Sequence, residues 1–289
     1  MQHFCSTKRR EARQTNNKRF IGNPFLEKEQ KTHIFVGNTV KLLYCAVPKV
    51  ASTNWKRMLL LFDGVKSNIN EMAVKSKVHM IAGLKPMYEV KEKDMPKIFK
   101  TSYKFLFVRH PFERLASAYR NKLADNNTYF EHTYGSRVLK MLRKNLTHKQ
   151  YNSGKGVTFR EFVQWLVRTE AYDPHWVPVQ RLCHPCDVRY DFVGKMETLL
   201  EDADQVIRDI GSQHKFPKTW TDGYKVSSNS LMIKYFSTLS AREVKGIYEY
   251  YKDDFDAFDY GLPTLLSNET RNEGKQFLRT FKKVLNGNL

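Results

Sequence analysis

"YCAVPKVASTNWKRMLL", Tyr44 to Leu60, runs from an apolar segment through a short loop into a helical pattern, with Lys49 at the bend. The segment before the loop, "KLLYCAV" (41–47), is short, continuous and stopped by Pro48, as a strand buried in a parallel sheet is. From Asn54 the period changes: Trp55, Met58, Leu59 and Phe62 fall at i, i+3, i+4 and i+7, one apolar helical stripe. Ser52 or Thr53 is the natural N-cap. Such a strand–loop–helix aims backbone N–H groups and the positive end of a helix dipole at whatever lies above the strand. The loop has no glycine and no Gly-Lys-Ser/Thr ending, so it does not wrap a triphosphate. Lys49, with Ser52, Thr53 and Asn54 as donors, suits a single phosphate group.

The same grammar recurs in "YKFLFVRHPFERLASAYRNKL" (103–123). Lys104–Val108 is the strand, Pro111 takes the first helical turn, and Phe112, Leu115, Ala116 and Tyr119 form the buried stripe. Arg109 closes an apolar strand where a sheet presents residues to ligands, and a charge there needs a partner. Arg114, Ser117 and Arg120 recur every third residue and share a polar face. Arginine suits bidentate phosphate recognition. The alternative is that Arg114 and Arg120 solvate the outer face or pair with Glu113, and for Arg120 that reading is preferred.

A third strand, "YDFVGK" (190–195), leads into the acidic helix "METLLEDADQVIRDIG", ending at Gly211. Before it come a basic, glycine-bearing loop, "RKNLTHKQYNSGKGV" (143–157), and the helix "TFREFVQWLVRTE" (158–170). The stretch "LSAREVKGIYEYYKDDFDAFDYG" (239–261) reads as a helix packing its aromatics on the domain. Alternating strands and helices predict a doubly wound α/β domain with a mainly parallel central sheet flanked by helices. No repeat and no second domain is evident. Residues 1–32, including "KRREARQTNNKR", are polar, basic and without periodicity, a flexible lead-in to a single domain over 33–289.

The 289 residues carry a formal charge of +19 and a pI near 9.7, with 41% hydrophobic and 13% aromatic residues. That composition supports a buried core and implies a polyanionic partner: nucleic acid, an anionic membrane or an acidic glycan. No apolar run approaches the roughly 18 residues that span a bilayer, and the N-terminus lacks a signal-peptide core. Cys183 and Cys186 form a CxxC around His184, but no second CxxC or His pair completes a zinc site, so a structural or oxidised pair is expected. Sequons at Asn126, Asn145 and Asn268 point weakly to secretory exposure.

Four blocks, "VPKVASTNWKRML" (47–59), "FLFVRHPFERLASAYRNKL" (105–123), "DPHWVPVQRLCHPC" (173–186) and "YDFVGKMETLLEDA" (190–203), stand in an order that resembles the Golgi carbohydrate sulfotransferases. The resemblance is to the branch of chondroitin, dermatan and GalNAc 4-O-sulfotransferases and HNK-1 sulfotransferases, and covers about Leu42 to Gly211. It implies a P-loop-kinase-like α/β fold. It also implies the donor PAPS (3′-phosphoadenosine 5′-phosphosulfate), transfer to a glycan hydroxyl, and no metal. Carried over by position, Pro48, Lys49, Val50, Ala51, Ser52, Thr53 and Asn54 cradle the 5′-phosphosulfate, with Lys49 on the bridging oxygen. The second block, Arg109, His110, Pro111, Phe112, Glu113, Arg114, Leu115, Ala116 and Ser117, forms the 3′-phosphate site, gripped by Arg109 and Ser117. Family members carry a membrane anchor, so Golgi placement rests on the resemblance. His110 stands where relatives are usually acidic, which bears on the 3′-phosphate site or the acceptor cleft.

Sulfuryl transfer needs in-line positioning, charge neutralisation on the leaving group and a base for the acceptor proton. His175 is the first candidate base, with His79 and Glu197 behind it, and it also suits a role in orienting the acceptor. Trp176 reads as core, with sugar stacking as the alternative. The basic stretch Arg137–Lys155 is read as an acceptor-chain contact or as a solvated linker. The expected activity is sulfation of the GalNAc 4-hydroxyl in chondroitin- or dermatan-type chains. The alternatives are HNK-1-type 3-O-sulfation of glucuronate and a non-catalytic polyanion-binding protein. Nucleic acid is not the expected partner, and a P-loop kinase is disfavoured by the absent Gly-Lys-Ser/Thr ending.

Overall fold

Strand β2 (Leu42–Cys45) is wholly buried and pairs in parallel with β4 (Tyr103–Val108), which pairs in parallel with β5 (Phe192–Lys195). These are the three strands expected from their apolar runs. The computed structural model describes residues 1–14, 31–68, 83–217, 228–261 and 272–286. Two further strands, β1 (Ile34–Val36) and β3 (Lys85–Pro86), give a five-stranded sheet of order β3-β1-β2-β4-β5. Both β1 pairings are antiparallel, so the sheet is mixed rather than mainly parallel. The hairpin behind this is very short. Gly37 N–H donates to Leu42 O, and a Cβ at Gly37 would lie 2.3 Å from Val40 O, so only glycine fits there. Asp63 braces the turn by accepting from the Asn38 and Thr39 N–H groups, each at 2.8 Å.

The chain divides into two compact units, Met1–Arg109 with Val179–Gly223, and His110–Pro178 with Tyr224–Leu289. The first contains the sheet. Trp55, on the helix Ser52–Phe62, packs its ring on Phe105, Phe107 and Phe216 at 4.8, 4.9 and 4.8 Å. Gly194 in β5 makes room for Phe107, because a Cβ there would sit 2.3 Å from the ring.

Two disulfides fasten this unit, and they correct the reading of the cysteines. Cys183 bonds Cys45 at the end of β2, and Cys186 bonds Cys5, so the CxxC is oxidised but its members do not pair with each other. Neither thiolate is left for a metal. The Cys5 bond also corrects the lead-in: Gln2–Gln14 is a helix, covalently tied to residue 186. Cross-links closing loops of 138 and 181 residues each restrict the unfolded chain by about 5 kcal/mol in the chain-entropy picture.

The second unit is helical around one aromatic core, in which Phe112 stacks on Phe236 at 4.3 Å and Trp176 is fully buried. The expected helices are present at Pro111–Tyr119, Phe159–Thr169 and Ala241–Phe258. The stretch 143–157 is not simply a loop: His148–Ser153 is a helix, started by a Thr147–Gln150 capping box and stopped by Gly154 at φ 64°. Two single π-helical turns, Arg120–Ala124 and Glu131–Gly135, interrupt the helices after Pro111–Tyr119. Among the described residues, no helix is long and apolar enough to cross a membrane.

Candidate active site

The loop after β2 owes its shape to two left-handed residues. Lys49 has φ 71° and Ala51 φ 52°, with Val50 buried between them. Neither is glycine, so each costs about 1–2 kcal/mol against the right-handed region. Residues held this way cluster where backbone N–H groups must converge, as in anion-binding nests. The expected N-cap is corrected here. Ala51, in its left-handed conformation, caps the helix without a side-chain bond, while Ser52 and Thr53 lie in the first turn, which carries no acidic residue. Asn54 and Trp55 donate back to Ala51 O at 2.9 and 3.1 Å, and the earliest N–H groups of a helix have no intrahelical acceptor.

Arg109, half-buried at the end of β4, reaches this loop. Its Nη1 donates to Lys49 O at 3.2 Å. A strand-end arginine thus holds the carbonyl of the lysine at the bend, fixing the peptide while adding positive charge beside it. Asn54 is buried and its Oδ1 accepts from the buried Arg57 at 2.8 Å, so its oxygen braces the first helical turn from inside. Glu197, on the opening turn of the helix that follows β5, is exposed.

In the second unit, His175 and Asp173 form a pair. Asp173 Oδ1 meets His175 Nδ1 at 2.7 Å and accepts the His175 N–H at 2.9 Å, while Tyr134 Oη donates to Oδ2 at 3.1 Å. Burial by itself raises the Asp173 pKa. The hydrogen bonds from the His175 ring and N–H and from Tyr134 outweigh it, so the carboxyl sits below its ordinary value. An ionised carboxylate at Nδ1 makes that nitrogen the protonated one, which leaves Nε2 of a neutral imidazole as the basic atom. Phe130 presents its ring edge-on to His175 at 5.3 Å, and Lys122 Nζ lies 4.3 Å over the Phe130 ring. Lys122 and Tyr134 both come from the π turns, a feature often found at functional sites.

Arg114 does not solvate the outer face of its helix. It is 1% exposed, donating to Val177 O at 2.7 Å and Pro174 O at 2.8 Å. Its guanidinium therefore clamps the Asp173–Val177 segment that carries His175. Asp254 and Asp173 supply negative charge nearby. Arg120 Nε lies 3.9 Å from Asp125.

Pro111, Phe112, Leu115 and Ala116 are buried, and Ser117 is 7% exposed on the same helix. His110 is buried among Phe112, Phe255 and Tyr260, with Nε2 3.1 Å from Gly261 O. Trp176 is core, donating to Ala171 O and accepting from Tyr251 Oη, so it offers no stacking face. His79 and Asn268 lie outside the described residues.

Asp173 was missed in the sequence, although a carboxylate two residues before the histidine is the Asx-turn signal that places it. Tyr134 and Lys122 carried no such signal.

The first unit thus carries a left-handed βα turn bonded to Arg109, and the second a carboxylate-held imidazole. The profile of the Sulfotransferase family matches residues 32–261. Carbohydrate sulfotransferase 11 of Rattus norvegicus is 39% identical over 243 residues, covering 81% of this chain and 68% of the relative. Carbohydrate sulfotransferase 14 of Danio rerio is 34% identical over 256 residues, 86% and 68%. Carbohydrate sulfotransferase 10 of Homo sapiens is 31% identical over 250 residues, 81% and 68%. No solved structure matches the chain. The chain belongs to the sulfotransferase family, in its carbohydrate sulfotransferase branch, enzymes whose sulfuryl donor is PAPS.

Proposed function

We propose that the protein transfers a sulfuryl group from PAPS to the 4-hydroxyl of GalNAc in chondroitin- or dermatan-type chains. The observation that carries the donor assignment is the Lys49–Ala51 turn, two left-handed residues with Arg109 on the Lys49 carbonyl. This cradle suits one tetrahedral anion and is too short for a triphosphate. We assign the β2–loop–helix unit to a P-loop-kinase-like arrangement on the same grounds.

PAPS supplies an activated sulfuryl group on a phosphate leaving group, and a 3′-phosphate as a second handle. Pro48 to Asn54 hold the 5′ end through the loop and the helix start. Lys49 neutralises the negative charge that builds on the leaving phosphate, the kind of fixed electrostatic support that dominates such transfers. Arg109 and Ser117 hold the 3′-phosphate. His175 takes the acceptor proton at Nε2 while Asp173 retains Nδ1–H and stabilises the imidazolium. Arg114 positions His175 through the backbone it grips.

The two disulfides, with exposed sequon asparagines at Asn126 and Asn145, support an oxidising, secretory location, which we take to be the Golgi. The acceptor assignment rests on the four motif blocks. It is tested by incubating the protein with labelled PAPS and desulfated chondroitin, dermatan and a glucuronate-terminated glycan, then digesting the products to disaccharides. Label on GalNAc O4 is the expected result. Label on glucuronate O3 would move the assignment to the HNK-1 type, and no labelled glycan from any acceptor would overturn the proposal.

A further inference from the structure

From residue 132 to 160 the chain has seven lysines and arginines and no aspartate or glutamate. Two of them are neutralised, Arg143 by Glu161 at 2.6 Å and Arg160 by Glu243 at 2.8 Å. Arg137, Lys140, Lys144, Lys149 and Lys155 are exposed, and none forms an ion pair among the described residues. Arg137 and Lys140 line a groove of about 240 Å³ with His132, Ser136, Tyr151 and Asn152. Its floor is the helix Ser136–Leu142 with the preceding π turn, and its wall is the helix His148–Ser153.

The groove is built by a backbone contact that only glycines allow. A Cβ on Gly135 would lie 2.2 Å from Gly154 O, and one on Gly154 would lie 1.9 Å from Glu131 O. The wall helix is therefore seated directly on the π turn. Its start is fixed by the Thr147–Gln150 capping box. Tyr151 stands 44% exposed on this wall, with Lys140 Nζ 5.8 Å from its ring centroid. Arg137, whose guanidinium lies over the Tyr134 ring, lines the same groove, and an exposed aromatic ring sharing a groove with two exposed cations matches a pyranose ring bearing an anionic substituent. The same π turn carries Tyr134, which bonds Asp173, so the groove and the His175 segment share one rigid element.

We infer that this groove is a distal subsite for an anionic sugar of the acceptor chain, a uronate or sulfated residue stacked on Tyr151 and countered by Arg137 and Lys140. The inference rests on the glycan-acceptor reading above and adds that the enzyme recognises a charged polymer at a second point. The substitutions lie on exposed side chains and leave the core intact. Binding of desulfated chondroitin polymer to the full chain, measured without donor, should weaken roughly tenfold in Arg137→Ala/Lys140→Ala and in Tyr151→Ala, with a shallower salt dependence in the first. In the transfer assay the double variant should raise KM for the polymer about tenfold more than KM for a hexasaccharide. Unchanged polymer binding in both variants, or equal retention of neutral dextran by the wild type, would overturn the subsite. The binding arm needs no donor and no turnover, so it reads the groove even where GalNAc O4 proves not to be the acceptor.

Discussion

Arg109 donates to the carbonyl oxygen of Lys49 at 3.2 Å, joining the residue just after β4 to the loop that follows its parallel neighbour β2, sixty positions earlier. The bond explains how a loop without glycine holds a left-handed lysine, and the conformation is itself testable. Ala51→Gly should keep the turn: the relief of about 1 kcal/mol from the left-handed region is offset by the greater freedom of glycine in the unfolded chain. Ala51→Val should lose PAPS affinity, because a β-branched side chain does not tolerate φ near 52°. Isothermal titration with PAPS, alongside urea unfolding, distinguishes the two.

The Asp173–His175 pair predicts a separation of turnover from donor binding. His175→Ala should lower kcat by about 10²–10⁴, the range for a general base, with the Kd for PAPS nearly unchanged. Asp173→Asn should lower kcat by a smaller factor, because the amide no longer selects the Nδ1–H tautomer. Unchanged kcat in His175→Ala would remove it from the mechanism.

Arg114 should behave as a positioning residue whose loss is first a stability defect. Arg114→Ala strands the carbonyls of Pro174 and Val177, at about 1–3 kcal/mol each. Arg114→Lys keeps the charge but loses the planar fork that serves both oxygens, and should recover less than half of the lost stability. Urea midpoints of the two variants check this. The diagnostic second readout is the acid limb of the pH–rate profile of Arg114→Lys, which should shift if His175 has moved relative to Asp173.

β2, β4 and β5 are continuous apolar runs with turn signals at their ends, and each was readable. β1 and β3 are three and two residues long, so their pairing is set by the Gly37 turn and Asp63 rather than by any periodicity. The Thr147–Gln150 capping box is a local signal for the helix His148–Ser153, set within a stretch whose glycines and basic residues read as a loop. Arg114 was different in kind. Its helix spacing correctly put it beside Ser117, but carbonyls sixty residues away decide whether an arginine at that spacing meets solvent or protein. The cysteine pairing was likewise out of reach, since Cys5 and Cys186 are 181 residues apart.

Acid stability should report Glu243. Burial raises its pKa, but bonds from Arg160, Gln164 and Ser240 prevail and hold it down to about 2, against an ordinary 4.5. A carboxyl depressed on folding stabilises the protein above its unfolded pKa and loses that contribution as pH falls through the native value. Stability should therefore decline between pH 4.5 and 2, and Glu243→Gln should flatten that part of the curve while lowering stability at pH 7. Denaturant midpoints from pH 7 down to 2 give both numbers.

The most direct test of the central claim is the transfer of labelled sulfate from PAPS to desulfated chondroitin by the wild type and by Lys49→Ala. The wild type should yield labelled GalNAc 4-sulfate, and Lys49→Ala should reduce kcat by about 10²–10³, the cost of removing one charge-stabilising group. Equal labelling by the two proteins would contradict the assignment of the Lys49 loop as the site of sulfuryl transfer.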